Sequence, residues 1–301
     1  MTRLLPNAET APGAIRVGLA GRGILESRTP WMHEQEAAAQ GLDLTYELFD
    51  FSDRGWADQD LPQLLDELDA AGYAGINVTY PFKQAVIASL DSLSDGAARV
   101  AAVNTVSFAQ GQRRGFNTDI TGFTAGFREG LAGVPVGTVL QVGCGGAGSA
   151  TAHALLGDLG ADGIVLFDTD EGRISRLHGQ LVECYGAQRV TTTTDLAASA
   201  ARVDGLLNAT PMGMAKFPGL PLPAAVIEAR HWVADVVYFP LETALLAAAR
   251  AKGCRTLDGS GMAVHQAADA FTVFTGLAPD HARMRASFTA FAKPPAGAAA
   301  A

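Results

Sequence analysis

A cluster of glycines in the middle of the chain has the spacing of a dinucleotide-binding loop. Gly143, Gly145 and Gly148 fit G-x-G-x-x-G, between an apolar run that predicts a strand and a run that predicts a helix. Such glycines allow a tight turn and a close approach to a pyrophosphate, whose charge a helix N-terminus favours. Asp168 ends the next apolar run, where an acid would bind ribose hydroxyls and repel a 2′-phosphate. The pattern predicts an NAD site, whereas an ordinary glycine loop would not require this order of elements.

Four short polar segments elsewhere carry residues that could select a substrate and act on it, because a glycine loop binds a cofactor but does not choose the substrate. These segments are Gly21–Pro30, Gly75–Lys83, Ala102–Thr105 and Gly115–Asp119. They supply hydroxyls and amides, together with the charged residues Lys83 and Asp119. From the residues alone, Lys83 is better explained as a solvated lysine at a helix start, and Asp119 as a helix N-cap.

The periodicity around these segments predicts an α/β protein with two lobes and a cleft between them. Strands and helices alternate in the first part, which indicates a mostly parallel sheet covered on both faces. The predicted elements are Val17–Ala20, Trp31–Gln40, Thr45–Phe51, Leu61–Ala71, Tyr73–Val78 and a helix over Phe82–Leu90 with Pro81 at its first position.

The second part is predicted to be a Rossmann-type domain. A hairpin around AQGQ, with strands over Ala102–Phe108 and Arg113–Asn117, and a helix over Gly122–Leu131 precede its first strand. Residues 1–118 form the predicted substrate-binding domain, joined by returning C-terminal helices at 260–292, and residues 119–259 form the NAD-binding domain. Residues 293–301 are predicted to be a disordered tail.

Composition excludes several classes of protein. The chain has 301 residues, 48% of them hydrophobic and 18% charged, which is typical of a folded soluble protein. Its net charge of −9 disfavours nucleic acid as a partner, and no stretch is apolar enough to enter a membrane. Three scattered cysteines argue against a disulfide framework and favour a reducing cytoplasm. His33, His153 and His265 have no metal-ligand spacing, so they are read as helix-surface or packing residues and no metal is expected.

Taken together, the polar segments resemble the motifs of the shikimate dehydrogenase family. Its S-x-S-P motif with a following histidine corresponds to Ser27–Pro30 with His33, and N-V-T-x-P-x-K corresponds to Asn77–Lys83. The further motifs A-V-N-T, N-T-D-x-x-G, N-A-T-P-x-G-M, D-x-V-Y-x-P and G-M-x-x-x-Q follow in the family's order. They stand at Ala102–Thr105, Asn117–Gly122, Asn208–Met214, Asp235–Pro240 and Gly261–Gln266.

The resemblance implies a dehydrogenase that acts on one ring hydroxyl of a cyclic hydroxy acid, with Lys83 and Asp119 as the catalytic pair. Removing hydride from a secondary alcohol requires its hydroxyl proton to leave in concert, and which of the two residues is the formal base stays open. Ser27 and Thr29 would bind the substrate carboxylate, with Tyr238 completing that pocket. Thr29 would also serve as a helix N-cap ahead of Pro30. The residues expected to contact ring hydroxyls are Asn77, Thr79, Asn104 and Gln266.

Further residues are expected to hold the cofactor. They are Gly143, Gly145, Gly146, Ala147, Gly148, Asp168, Arg173, Thr210, Met212, Gly259 and Met262. Arg173 would reach toward the adenosine end, although two nearby acids make it a poor phosphate clamp.

Two departures from the family's common pattern point to one of its branches. Thr29 stands where biosynthetic members carry a second serine, and Asp168-Thr169-Asp170 replaces their N-R-T segment. Both resemble the NAD-dependent quinate/shikimate dehydrogenases, which work in the oxidative direction. Two alternatives remain: a paralogue acting on shikimate or aminoshikimate with little quinate activity, and a non-catalytic nucleotide-sensing homologue. The assembly is expected to be a monomer or homodimer.

Overall fold

The structure, a computed structural model, describes residues 4–5 and 13–291. The tail predicted at 293–301 lies outside the described residues. The chain divides into two compact units. The first runs to Thr118 and resumes at Ala267, and the second is Asp119–Gln266.

A six-stranded mixed sheet forms the centre of the first unit. Its strands are β1 (Ile15–Gly21), β2 (Leu44–Asp50), β3 (Gly75–Val78), β4 (Ser92–Leu93), β5 (Thr105–Ala109) and β6 (Gln112–Phe116), in the order β2-β1-β3-β5-β6-β4. Strand β1 pairs in parallel with β2 and β3, while β5 is antiparallel to β3 and β6. The predicted hairpin joins β5 to β6 through Gln110 and Gly111, which both have positive φ.

Helices cover both faces of this sheet because its strands alternate buried side chains between two apolar clusters. The helices are α1 (Thr29–Ala39), α2 (Leu61–Ala70), α3 (Asp95–Val100), the C-terminal part of α9 (Ser260–Thr275) and α10 (His281–Phe291), with 3₁₀ turns at Asp58–Asp60 and Ala85–Ser89. On one face Leu64 and Leu68 of α2 are fully buried, each worth about 1.5–3 kcal/mol. On the other face Val17 packs with Phe271 and Phe274 of α9. The returning helix therefore completes this core, as predicted.

The helix predicted over Phe82–Leu90 is wrong. The chain forms turns after Thr79, whose carbonyl accepts from the Phe82 N–H at 2.7 Å, and only Ala85–Ser89 is a 3₁₀ helix. The Ile87 N–H donates to the Gln84 carbonyl at 3.2 Å and not to that of Lys83, as an α-helix would require, and the Lys83 carbonyl accepts from the Val103 N–H at 2.8 Å. Pro81, preceded by a cis peptide bond, lies in the turn and not at a helix start.

A second six-stranded sheet, entirely parallel, forms the centre of the second unit. Its strands are β7 (Thr138–Val142), β8 (Gly163–Phe167), β9 (Val190–Thr192), β10 (Gly205–Asn208), β11 (Trp232–Asp235) and β12 (Arg255–Leu257), in the order β12-β11-β10-β7-β8-β9. This doubly wound order confirms the predicted Rossmann-type fold, and it reverses direction between β7 and β10.

The helices of the second unit lie before, between and after its strands in the chain. They are α4 (Thr118–Gly130), α5 (Gly146–His153) with a π-helical continuation Ala154–Asp158, α6 (Glu171–Tyr185), α7 (Leu196–Ala200), α8 (Ala244–Ala251) and the first part of α9, with 3₁₀ turns at Ala187–Arg189 and Ala224–Val226. The core of this unit includes Leu206, Val233 and Leu245. Over the described residues, none of the helices has the length and hydropathy that crossing a membrane would need.

Candidate functional site

Asn77, at the end of β3, is the centre of a buried hydrogen-bond network in the first unit. The Tyr46 hydroxyl donates to its Oδ1 at 2.7 Å, and its Nδ2 donates to the Asn104 carbonyl at 3.1 Å and to Thr105 Oγ1 at 2.8 Å. Asn77 and Thr105 are direct partners in the β3–β5 register. Both amide hydrogens of Asn77 are thereby used, so the side chain offers a ligand only the second lone pair of Oδ1.

Asn104 extends this network to the start of α4. Its Oδ1 accepts from the Thr118 N–H at 2.8 Å, and its Nδ2 donates to Thr118 Oγ1 at 2.9 Å. Asp119 follows directly in the first turn of α4, which is already helical, so it is not the N-cap considered as its alternative role. Val103, the neighbour of Asn104, binds the Lys83 carbonyl. The backbones that carry Lys83 and Asp119 are therefore both fixed next to Asn104.

Ser27 and Thr29 form a pair of hydroxyls at the start of α1. Ser27 Oγ donates to Thr29 Oγ1 at 3.2 Å and accepts from the Thr29 N–H at 3.3 Å, and both side chains are half-buried. The expected N-cap role of Thr29 is wrong, because Thr29 is the first helical residue and the cap position is Arg28. The Thr29 hydroxyl therefore accepts from Ser27, and its own proton can be donated to a ligand oxygen.

Asp50 supports this loop and was missed by the sequence analysis. It ends β2, is 2% exposed, and accepts hydrogen bonds from the backbone N–H groups of Gly23 at 3.1 Å and Ile24 at 2.7 Å. Burial opposes its charge, but these N–H groups and that of Ser52 hold the pKa of Asp50 below its usual value. An acid at a strand end, with a serine two residues later, was the available signal, since such side chains commonly bind nearby backbone.

The remaining predicted substrate residues are distributed over both units. Thr79 is half-buried after β3, and its N–H donates to the Ala20 carbonyl at 2.9 Å. Tyr238 and Gln266 belong to the second unit. Tyr238 is 44% exposed, while the Gln266 Nε2 donates to the Ala263 carbonyl at 3.2 Å.

One of the three histidines that lack metal spacing, His33, has a defined place in the core. His33 is completely buried against the rings of Tyr46, Phe271 and Phe274, and burial lowers its pKa to about 3. It is a packing residue and not a helix-surface one. Within the described chain, no three or more His, Cys, Asp or Glu side chains are grouped to hold a metal ion.

The glycine loop of the second unit has the geometry that a dinucleotide requires. Gly143 has a φ of +107°, and a Cβ there would lie 2.7 Å from the Ala209 carbonyl. A Cβ on Gly148 would collide with the Gly143 carbonyl oxygen, so α5 packs on the loop only through glycine. A side chain at Gly145, by contrast, would enter open space before the N-terminus of α5. That space and the adjacent helix N-terminus, lined also by Gly146 and Ala147, suit a pyrophosphate.

Gln141 fixes the loop from beneath and is another residue that sequence reasoning missed. It is fully buried on β7 and its Nε2 donates to the carbonyls of Gly143 at 3.0 Å and Gly148 at 2.8 Å. Its Oε1 accepts from Thr151 Oγ1 of α5 at 2.9 Å. A glutamine inside an otherwise apolar strand was the signal, because a buried amide needs partners.

Asp168 is bonded to the same loop. Its carboxylate accepts from the Cys144 N–H at 2.7 Å and from the Asp170 N–H at 3.0 Å, which orients it at the carboxyl end of β8. Arg173 is exposed and pairs with Asp170 at 3.5 Å. The residues present therefore fit a dinucleotide with a free ribose diol.

The other predicted cofactor residues follow β10 and β11. Thr210 donates its hydroxyl to Asn208 Oδ1 at 2.7 Å, and the Met212 N–H donates to Thr210 Oγ1 at 3.1 Å. Gly259 lies directly against the Val236 carbonyl, ahead of α9, and Met262 is half-buried in the first turn of that helix. An apolar cavity of about 370 Å³ lies between the 213–219 and 239–244 segments.

Comparison with known proteins agrees with a substrate site in the first unit and a dinucleotide site in the second. Residues 19–106 match the model of the shikimate dehydrogenase substrate binding domain. A quinate/shikimate dehydrogenase (NAD(+)) of Corynebacterium efficiens is 45% identical over 279 residues, 91% of this chain and 98% of the relative. A shikimate dehydrogenase (NADP(+)) of Arthrobacter sp. is 45% identical over 274 residues, 90% of this chain and 93% of that protein.

Among solved structures, quinate dehydrogenase from Corynebacterium glutamicum in complex with NAD is similar with a TM-score of 0.88 and 44% identity, covering 92% of this chain and 99% of that one. This extent of identity, over nearly the full length of the relatives, confirms the resemblance seen in the motifs. The chain belongs to the shikimate dehydrogenase family.

Proposed function

We propose that this chain is an NAD-dependent quinate/shikimate dehydrogenase, which oxidises one ring hydroxyl of quinate, shikimate or both to the corresponding 3-dehydro acid, reversibly. The observation that carries the proposal is the buried Asn77–Asn104–Thr118 network. Thr118 of this network directly precedes Asp119, and the N–H of Val103, the neighbour of Asn104, donates to the Lys83 carbonyl. The names of relatives in both Corynebacterium species support the same activity.

Lys83 and Asp119 are proposed as the catalytic pair. In the oxidative direction the C–H bond of the secondary alcohol breaks and its electron pair leaves as hydride, while the O–H bond gives its proton to the pair and a carbonyl forms. NAD, when bound, supplies the hydride acceptor. Lys83 Nζ would receive or relay the proton, and the Asp119 carboxylate would orient the lysine and accept from a neighbouring ring hydroxyl.

Neutral groups are proposed to recognise the substrate. Ser27 and Thr29 present hydroxyls to the carboxylate, where the net charge of the protein gives no help. Asn77, Thr79, Asn104 and Gln266 are assigned to ring hydroxyls, and Tyr238 to the carboxylate. A site built to hydrogen-bond hydroxyls discriminates strongly against analogues that lack them, since its own polar groups would be left unpaired.

The preference for NAD is attributed to Asp168. Its carboxylate is held at the end of β8 by the Cys144 and Asp170 N–H groups. A 2′-phosphate placed there would meet a fixed negative charge, whereas a ribose diol would donate to it. Relatives of equal identity are named for either nucleotide, so the argument depends on this residue.

The second candidate is a shikimate dehydrogenase with little quinate activity, which the name of the Arthrobacter relative favours. Steady-state rates with quinate and shikimate, each with NAD and with NADP, test both candidates. The proposal requires turnover of quinate with NAD and a higher kcat/KM for NAD than for NADP. Turnover of shikimate alone, or faster turnover with NADP, would favour the second candidate.

Domain roles and setting complete the proposal. Residues 1–118, with the helices at 260–292, would bind the acid, and residues 119–259 would bind NAD. The three cysteines, all within the described chain, are free, which suits a reducing cytoplasm. The enzyme would act there as a monomer or homodimer.

A further inference from the structure

Two buried polar residues lie side by side at the carboxyl ends of β10 and β11. Asn208 and Asp235 are direct partners in the parallel register of these strands. Asn208 is completely buried and Asp235 is 2% exposed. The Asn208 Nδ2 donates to Asp235 Oδ1 at 2.9 Å. Neither residue has a role in the proposed reaction, and burying a carboxylate is costly unless it is hydrogen-bonded.

The Asp235 carboxylate accepts hydrogen bonds from three neutral donors. Besides Asn208, the Val237 N–H donates to Oδ1 at 3.0 Å, and the Thr243 hydroxyl donates to Oδ2 at 2.7 Å. Burial outweighs these bonds and raises the pKa of Asp235 to about 6. The donors belong to three different segments, so the carboxylate joins them at one point.

One of these segments is the loop that follows β10. Asn208 Oδ1 accepts from the Thr210 N–H at 3.0 Å and from the Thr210 hydroxyl, and its Nδ2 also donates to the Met212 carbonyl at 2.9 Å. The loop then passes close to the carboxylate: a Cβ on Gly213 would lie 3.2 Å from Thr243 and 3.7 Å from Asp235 Oδ2. Asp235 thus lies beneath the loop that carries Thr210 and Met212.

The segment that follows β11 leads to Tyr238. Val237, whose N–H is bound by Asp235, immediately precedes it in the chain. The third donor, Thr243, is the N-cap of α8 and accepts from the Leu246 N–H at 3.3 Å. The positions of the 208–213 loop, Tyr238 and α8 are therefore set by one side chain.

Sheet topology indicates which half of a dinucleotide would lie near the loops that Asp235 joins. The glycine loop follows β7, and Asp168, on the adenosine side, follows its neighbour β8. On the opposite side of β7 the sheet continues through β10 and β11. A dinucleotide bound across the switch point of a doubly wound sheet places its second half there. The loops joined by Asp235 are therefore those of the nicotinamide half.

We propose that Asp235 is a positioning residue that fixes the nicotinamide-side loop of Thr210 and Met212 relative to Tyr238. This inference rests on the proposed function for what the loops bind. Its effect should be confined to the reacting end of the site, whereas a residue that merely stabilised the second unit would affect binding of the whole cofactor.

Asp235→Ala and Asp235→Asn provide the comparison. Asparagine keeps an acceptor for Asn208 and Val237, and its amide can donate to Thr243, so this variant should retain kcat and KM within about threefold. Alanine removes all acceptors, and misplacement of the loops should lower kcat/KM by about 100-fold. Calorimetry with ADP-ribose, which lacks nicotinamide, should give the wild-type Kd for both variants, while the Kd for NAD should rise only in Asp235→Ala.

Thr243 provides a milder test should Asp235→Ala fail to fold. Thr243→Val removes one donor to the carboxylate but keeps the shape, and should lower kcat/KM by about tenfold without changing the Kd for ADP-ribose. Thr243→Ser keeps the hydroxyl and should behave as wild type.

Three results would overturn the proposal: wild-type turnover in Asp235→Ala, equal weakening of NAD and ADP-ribose, or wild-type turnover in Thr243→Val. If the wild type oxidised neither acid with NAD, the proposed function would fail instead. The ratio of NAD to ADP-ribose affinity would still test Asp235.

Discussion

The side chain of Asn104 binds Thr118 twice, accepting from its N–H at 2.8 Å and donating to its hydroxyl at 2.9 Å. Asp119 follows Thr118 in the chain. The N–H of Val103, which precedes Asn104, donates to the Lys83 carbonyl. The buried amide of Asn104 thus holds the residue before Asp119, and the backbone next to Asn104 holds Lys83. Loss of this amide should be felt in the chemical step as well as in stability.

Asn104→Ala should lower kcat by about 10- to 100-fold, because small displacements of catalytic groups are costly. Unsatisfied partners should also cost about 1–3 kcal/mol of unfolding free energy. Asn117→Ala is a matched control, since it removes a buried amide that donates to the Ala102 carbonyl at 3.0 Å. Steady-state rates and urea unfolding give the loss of kcat and of unfolding free energy in both variants, and the loss of kcat should be larger in Asn104→Ala. Equal losses of kcat would show that Asn104 acts only through stability.

Gln141→Leu should raise the KM for NAD by about tenfold, since the carbonyls of Gly143 and Gly148 lose their shared donor and the glycine loop loosens. The KM for the acid should not change. Thr151→Val, which removes the hydroxyl bound to Gln141, should have a smaller effect in the same direction, and Thr151→Ser should have none. A KM for NAD that is unchanged in Gln141→Leu would exclude this support role.

Asp168→Asn should shift the ratio of kcat/KM for NAD over NADP toward NADP by about tenfold or more, because the charge facing a 2′-phosphate disappears. Asp170→Asn removes a like charge two residues away and keeps a good helix N-cap, so its effect should be smaller. Rates with both nucleotides measure the shift. A larger change in Asp170→Asn would move the discrimination away from Asp168.

His33→Leu should alter the pH dependence of stability. Because burial lowers the pKa of His33 to about 3, the unfolded chain binds a proton at this residue between pH 6.5 and about 3 that the folded chain does not. The contribution of His33 is therefore present above pH 6.5 and is lost as the pH falls, by up to about 1.4 kcal/mol per pH unit.

Urea unfolding at about pH 7 and about pH 5 measures this contribution. The stability of wild type relative to His33→Leu should decrease on acidification. Phe274→Leu changes the same apolar cluster without a titratable group, and its difference from wild type should be independent of pH. A parallel pH dependence in wild type and His33→Leu would contradict the burial argument.

Local patterns predicted the alternation of strands and helices, the hairpin and the glycine loop, because each depends on residues close together in the chain. The helix at Phe82–Leu90 was predicted wrongly for the opposite reason. This segment forms turns, and its Lys83 carbonyl accepts from the N–H of Val103, a residue distant in the chain. Periodicity within a short segment contains no information about such a bond.

The partners of the supporting residues could not be predicted from the sequence. Gln141 with Thr151, and Asp235 with Asn208, acquire their roles only once strand register and helix packing bring their side chains together. The proposed catalytic and substrate-binding residues could be named from the sequence because they stand in motifs of the family, and their roles stay predictions. Asp50, Gln141 and Asp235 stand at or near the carboxyl ends of strands, which is where a parallel sheet collects its functional loops.

If Lys83 receives or relays the hydroxyl proton while hydride leaves the alcohol, the rate of NADH formation from quinate and shikimate depends on its side chain. Lys83→Met should lower that rate by about 10²- to 10⁴-fold with NAD affinity preserved, whereas Lys216→Met, at an exposed lysine, should leave it unchanged. NADH formation at the wild-type rate in Lys83→Met would contradict the account.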